Sequence, residues 1–200
     1  MADIAIFHGI TGLEPGAAGL QEPLRAEGHT VHCPDLYEGH RFESAETGYA
    51  FMEEVGFRTL LDRAEDAMST LPPETALIGI SMGTAVVQHL ARRTPEATAV
   101  VLLHAAPGPD EGDPHWPASV PVEIHSTEGD FYFTRANADA LVEEAADGRL
   151  VLYPGSGHTF ADPDTEDYDP EQAPILIRNV IEFIAEATSK GSEGQGPGSS

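Results

Sequence analysis

Lysine is almost missing from this 200-residue sequence: Lys190 is the only one, and Lys and Arg together number 10 against 34 Asp and Glu, a formal net charge of -24. Such a surface repels phosphate backbones and anionic bilayers, so nucleic-acid and membrane partners are not expected. An anionic substrate is disfavoured too unless a local arginine overrides the overall field. Cysteine is equally scarce. Cys33 stands alone, which excludes an internal disulfide, and nothing near it has zinc-ligand spacing. Long apolar runs are absent: no stretch reaches the roughly 18 residues that span a bilayer. The opening Met1-Ala2-Asp3-Ile4 lacks a basic region before an apolar run, so no signal peptide is expected and a cytoplasmic location is the default. Internal repeats are absent as well.

What is present is an alternation of short apolar runs with longer amphipathic segments. With 40% hydrophobic residues, the chain suffices for one well-buried core. Strands are expected at Ile4–Phe7, His29–Cys33, Thr75–Ile80, Ala99–Leu103, Val120–His125 and Leu150–Tyr153. Helices are expected at Pro15–Ala26, through Ala45–Leu71 up to the break at Pro72-Pro73, and at Thr84–Arg93, Thr134–Ala146 and Pro174–Ala187. Runs apolar on both faces suit a parallel sheet covered by helices on either side. The fold class is therefore α/β: a single doubly wound, mostly parallel six-stranded sheet over residues 1–188, without a lid. A tail over 189–200, rich in Gly and Ser from Gly191, is expected to lack structure.

One motif carries chemistry. Gly79-Ile80-Ser81-Met82-Gly83 follows a predicted strand and precedes a predicted helix, the context of a nucleophile elbow in an α/β hydrolase. A turn that tight forces the serine backbone out of ordinary φ/ψ space, and flanking glycines let the chain pass without clashing side chains. The turn lifts Ser81 Oγ above the sheet and places the Met82 N–H to donate to an oxyanion. A serine hydroxyl needs a base. Among nine histidines, His158 alone lies in a glycine-bearing loop after the last strand and before the final helix, where the chain order Ser, acid, His places the base. His8, His104 and His125 also end strands on that edge and read as packing or polar neighbours.

The acid is expected after the penultimate strand. Asp130 is preferred, because Gly129 permits a turn and Phe131 would anchor the loop by apolar packing; Glu128 is the runner-up. A second oxyanion donor is expected in His8-Gly9-Ile10-Thr11-Gly12, at the Ile10 N–H. Arg41 and Arg58 are the cations to watch near the site. The acidic stretch from Asp162 to Glu171 reads as a solvated loop.

These features together resemble the dienelactone hydrolase family over about Ile4 to Ala187. The likeness rests on His8-Gly9-Ile10, Pro34-Asp35-Leu36-Tyr37, the Gly-Ile-Ser-Met-Gly turn, and Gly129-Asp130 with the loop Tyr153-Pro154-Gly155-Ser156-Gly157-His158-Thr159-Phe160. The resemblance implies a small lidless hydrolase with a Cys-Asp-His triad that cleaves cyclic enol esters. Position 81 is serine rather than cysteine. The arginine that the family places soon after its histidine, to hold a substrate carboxylate, has no counterpart before Arg178. The expected function is hydrolysis of a small-molecule ester or lactone by Ser81, Asp130 and His158, with no metal or organic cofactor. A thioesterase or peptidase on the same scaffold, and a catalytically silent binding protein, are the alternatives. Oligomeric state is not legible in the sequence.

Overall fold

The computed structural model describes residues 1–14 and 19–193. Six strands form one sheet: β1 (Asp3–Phe7), β2 (Thr30–His32), β3 (Ala76–Ile80), β4 (Val100–Leu103), β5 (Val122–Thr127) and β6 (Gly148–Tyr153). Their order is β2-β1-β3-β4-β5-β6, and every neighbouring pair is parallel. Strand alternation splits the core. Ala5 and Phe7 of β1 point into one apolar cluster, and Ile4 and Ile6 point into another on the opposite face.

The first cluster is covered by α3 (Phe57–Met68), α4 (Gly83–Ala91) and α5 (Arg135–Glu144), the second by α1 (Gln21–Ala26) and α6 (Ala173–Glu193). The segment expected to be helix-rich from Ala45 is two helices, α2 (Ala45–Val55) and α3, broken at Gly56, whose φ of 84° a side chain would strain. The first helix starts at Gln21, later than expected, after Gly19 in the left-handed region with φ 72°. The rest of that expectation, residues 15–18, lies outside the described residues, as do residues 194–200 of the tail. Among the described residues no helix is long and apolar enough to cross a membrane.

Two adjacent strands, β1 and β3, send their chains away to different neighbours, β2 and β4. A crevice opens at the carboxyl ends of a parallel sheet where the order reverses in this way. Ile10 follows β1 and Ser81 follows β3, so both stand at that crevice.

Candidate active site

Ser81 has φ 50°, a left-handed conformation that costs a non-glycine residue about 1–3 kcal/mol. The surroundings impose it. The Ser81 N–H donates to the Leu103 carbonyl at 2.9 Å, and the Thr84 hydroxyl donates to the Ser81 carbonyl at 2.6 Å. The flanking glycines are required by close backbone approach: a methyl on Gly79 would meet Gly83 and Thr84, and one on Gly83 would overlap the Phe7 and His8 carbonyls. Helix α4 therefore starts pressed against the ends of β1 and β3.

Ser81 Oγ lies 2.8 Å from His158 Nε2. His158 Nδ1 lies 2.8 Å from Asp130 Oδ2, and the Asp130 side chain is fully buried. A carboxylate can only accept, so Nδ1 carries the proton and Nε2 is free to accept from the serine hydroxyl. Asp130 also accepts from the Tyr132 N–H at 2.8 Å and from the Ser126 hydroxyl at 3.2 Å. Burial alone would raise its pKa; the bonds from His158, Tyr132 and Ser126, with the His158 charge, outweigh burial and hold it below the usual carboxylate value.

The loops bearing Asp130 and His158 are joined by an extension of the β5–β6 pairing. Glu128 N–H donates to the Tyr153 carbonyl and Gly129 N–H to the Gly155 carbonyl, each at 2.9 Å, and the Thr127 hydroxyl donates to the Gly157 carbonyl at 3.1 Å. This zipper faces Asp130 toward His158 and leaves Glu128 exposed. Phe131 does not anchor the loop as expected. It is 91% exposed, because Tyr132 N–H and the zipper already fix the turn. Tyr132 sets its ring 4.9 Å from the His158 ring.

The stretch from Asp162 to Glu171 is also not a simple solvated loop. Asp167 Oδ2 accepts the backbone N–H groups of His158 and Thr159 at 2.9 and 3.3 Å. Asp162 and Asp169 cap the backbone of Asp164, Glu171 and Gln172. The only advance signal was the density of Asp and Thr, which favour such local turns.

Ile10 and Met82 line the same cleft as Ser81, and among the described residues neither backbone N–H donates a hydrogen bond. Helix α2 holds the Ile10 loop, since Gly48 packs directly on the Ile10 carbonyl. His8 ties that loop to the chain after β2: Leu36 N–H donates to its Nε2 at 3.1 Å, so Nδ1 carries the proton and bonds the Gly9 carbonyl at 2.8 Å. Asp35 folds the following turn by accepting from Tyr37 and Gly39, and the Tyr37 hydroxyl reaches Met82 Sδ at 3.4 Å.

His104 is fully buried at the end of β4 with φ 73°, and among the described residues neither ring nitrogen has a hydrogen-bond partner. Burial, reinforced by His158, pushes its pKa down to about 3, so it packs as a neutral ring 5.9 Å from that of His158. Behind it His125 Nδ1 bonds the Tyr153 hydroxyl at 2.9 Å, and its Nε2 lies 2.9 Å from Glu123 Oε1 without hydrogen-bond geometry.

Two clefts meet at Ser81 and His158. One, of about 630 Å³, is walled by Glu14, Glu43, Asp162, Asp164, Glu166 and Asp167. The other, of about 510 Å³, is lined by Tyr49, Met52, Phe57, Met82, Ala106 and Pro107. Among the described residues, no Arg or Lys lines either cleft. Arg58 pairs instead with Asp62 at 2.6 Å on its own helix, and Arg41, which lines neither cleft, acts electrostatically on Glu14 at the rim of the acidic one. A larger cavity of about 870 Å³ opens at the amino ends of the strands, around Asp3, Thr75, Thr98 and Pro121, away from Ser81. No group of three or more His, Cys, Asp or Glu able to hold a metal occurs among the described residues.

The family model of the dienelactone hydrolase family matches residues 2–188. A dienelactone hydrolase-like promiscuous phosphotriesterase from metagenomic libraries superposes with a TM-score of 0.78 at 20% identity, covering 94% of this chain and 87% of its own. The protein m3DLH gives 0.71 at 21%, covering 92% and 86%. Est1E from Butyrivibrio proteoclasticus gives 0.65 at 18%, covering 94% and 89%. No curated protein matches the chain. With the strand order, the Gly-Ile-Ser-Met-Gly turn and the family model in agreement over almost its whole length, the chain belongs to the dienelactone hydrolase family of α/β hydrolases.

Proposed function

We propose that the protein is a serine hydrolase that cleaves a carboxylic ester or lactone through an acyl-Ser81 intermediate. The observation that carries this reading is the unbroken chain Ser81 Oγ, His158, Asp130, with both links at 2.8 Å. Ser81 Oγ forms a bond to the ester carbonyl carbon while its proton passes to His158 Nε2. Negative charge gathers on the carbonyl oxygen, where the uncommitted N–H groups of Met82 and Ile10 can receive it. The bond to the leaving oxygen then breaks as His158 returns the proton to it. Water, deprotonated by His158, repeats the attack and frees Ser81. Asp130 stays ionised throughout, orients the imidazole and stabilises its charged form.

Purified protein should hydrolyse p-nitrophenyl butyrate and be labelled by a fluorophosphonate on Ser81, and Ser81→Ala should abolish both. Labelling that persists in Ser81→Ala, or no turnover of any ester, lactone or thioester by the folded protein, would sink the assignment.

A further inference from the structure

The two clefts at Ser81 differ in kind, and the difference selects a substrate. We propose, given acyl transfer at Ser81, that the substrate is the ester of an apolar acid with an uncharged or cationic alcohol, and that esters whose alcohol bears a carboxylate are rejected. The assignment of sides follows from proton traffic and the oxyanion donor. His158, which must protonate the leaving oxygen, borders both clefts. Because Met82, the oxyanion donor, lines one, the alcohol is assigned to the side built by the loop that follows His158. That side is the cleft holding Thr159, Asp162, Asp164, Glu166 and Asp167. The acyl group is left with the side formed by Met82 and the start of α4, which is the apolar cleft.

Exposed aromatic surface supports the apolar side. Tyr49, 49% exposed, lines that cleft and not the acidic one, and Tyr132, 60% exposed, stands where the two clefts meet. Large apolar groups left in water beside a reactive serine suit contact with a ligand's hydrocarbon part. On the alcohol side, six carboxylates face the cavity with no Arg or Lys among its lining residues. Asp167 is committed to the His158 and Thr159 N–H groups, and Asp162 to the Asp164 N–H. Asp164 and Glu166 are exposed, and no described side chain neutralises them. Carboxylates of one sign around a cleft sum their fields within it. An anion entering there meets net repulsion, eased only beside Glu14 by Arg41, and a cation meets attraction that added salt weakens.

Three butyrate esters that differ only in the alcohol test this: choline, its uncharged isostere 3,3-dimethylbutanol, and 4-hydroxybutanoate. At low ionic strength kcat/KM should fall in that order, by about tenfold at each step, and 0.5 M NaCl should compress the series. The double variant Asp164→Asn with Glu166→Gln should narrow the spread several-fold. Equal rates for all three esters, or a spread unaffected by salt and by the variant, overturn the charge assignment and leave the hydrolase reading standing. Failure of every ester together with loss of fluorophosphonate labelling overturns both.

Discussion

Asp167 accepts the backbone N–H of His158 at 2.9 Å, from nine residues further along the chain. The bond sets His158 from behind: Asp130 fixes one edge of the imidazole, and Asp167 fixes the main chain that carries it. An acidic loop with the composition of a solvated one thus acts as a brace. Asp167→Ala should lower kcat by about tenfold with KM little changed, since a misplaced base costs rate more than binding. Asp167→Asn, whose amide oxygen can still accept, should retain most of the activity. Equal losses in both variants would argue that charge rather than position matters.

Glycine at position 48 is the counterpart brace for the Ile10 loop. A methyl there would overlap the Ile10 carbonyl, and Gly48→Ala must push the loop away from α2. If the Ile10 N–H serves the oxyanion, kcat should fall by about 10²-fold, the scale of one lost donor. Thermal melting should show the enzyme still folded. Unchanged fluorophosphonate labelling kinetics in a folded Gly48→Ala protein would remove Ile10 from the mechanism.

Asp130 and Glu128 lie in the same loop, yet only Asp130 faces His158. Asp130→Asn should reduce kcat by about 10³–10⁴-fold, because an amide can hold the imidazole in the wrong tautomer and cannot balance its charge. Glu128→Gln should stay within about twofold of the parent. Steady-state assays on one ester decide it; a large loss in Glu128→Gln refutes the assignment.

Acid should loosen the far end of the helical layer first. Arg92, 3% exposed at its side chain, bonds Glu144 at 3.2 and 3.0 Å and stacks 5.5 Å from Trp116, whose N–H also donates to Glu144 at 2.7 Å. The Arg92 hydrogen bond, with the Trp116 N–H adding to it and burial opposing, holds the Glu144 pKa at about 2 against an ordinary 4.5. A depressed carboxylate contributes stability that is present above the unfolded value and lost as pH falls through the folded one. The pair should therefore contribute about 2 kcal/mol near neutrality, partial exposure included, and lose it as pH drops from 4.5 toward 2. Urea unfolding of the parent and Glu144→Gln should converge over that window. A gap independent of pH would show that the loss in Glu144→Gln is one of packing.

The elements were legible because both periodicities were strong. Ile4 to Phe7 and Val100 to Leu103 are apolar at every position, as strands covered on two faces must be. Ser81 was legible because a strand, two glycines and a helix leave few conformations to the residue between them. His158 followed from its place after the last strand. Misreadings occurred where local composition competes with long-range contacts. Phe131 reads as an anchor by hydrophobicity alone, but the loop is fixed by backbone bonds to Gly155 and by Tyr132 N–H, leaving the ring in water. Asp167 reads as a solvated acid because its partner, the His158 N–H, is a backbone group that carries no side-chain signature.

The sequence by itself determined the α/β class, the strand-turn-helix around Ser81 and the places of Asp130 and His158 after the last two strands, since these depend on neighbours within a few residues. Tertiary structure decided which acid faces His158, that Gly48 supports Ile10, and that two clefts of opposite character meet at Ser81. Those depend on which strands lie side by side. The order β2-β1-β3-β4-β5-β6 brings residues 10, 81, 130 and 158 to one edge of the sheet, and no local pattern encodes the registry that sets Ser81 Oγ and Asp130 Oδ2 each 2.8 Å from the His158 ring.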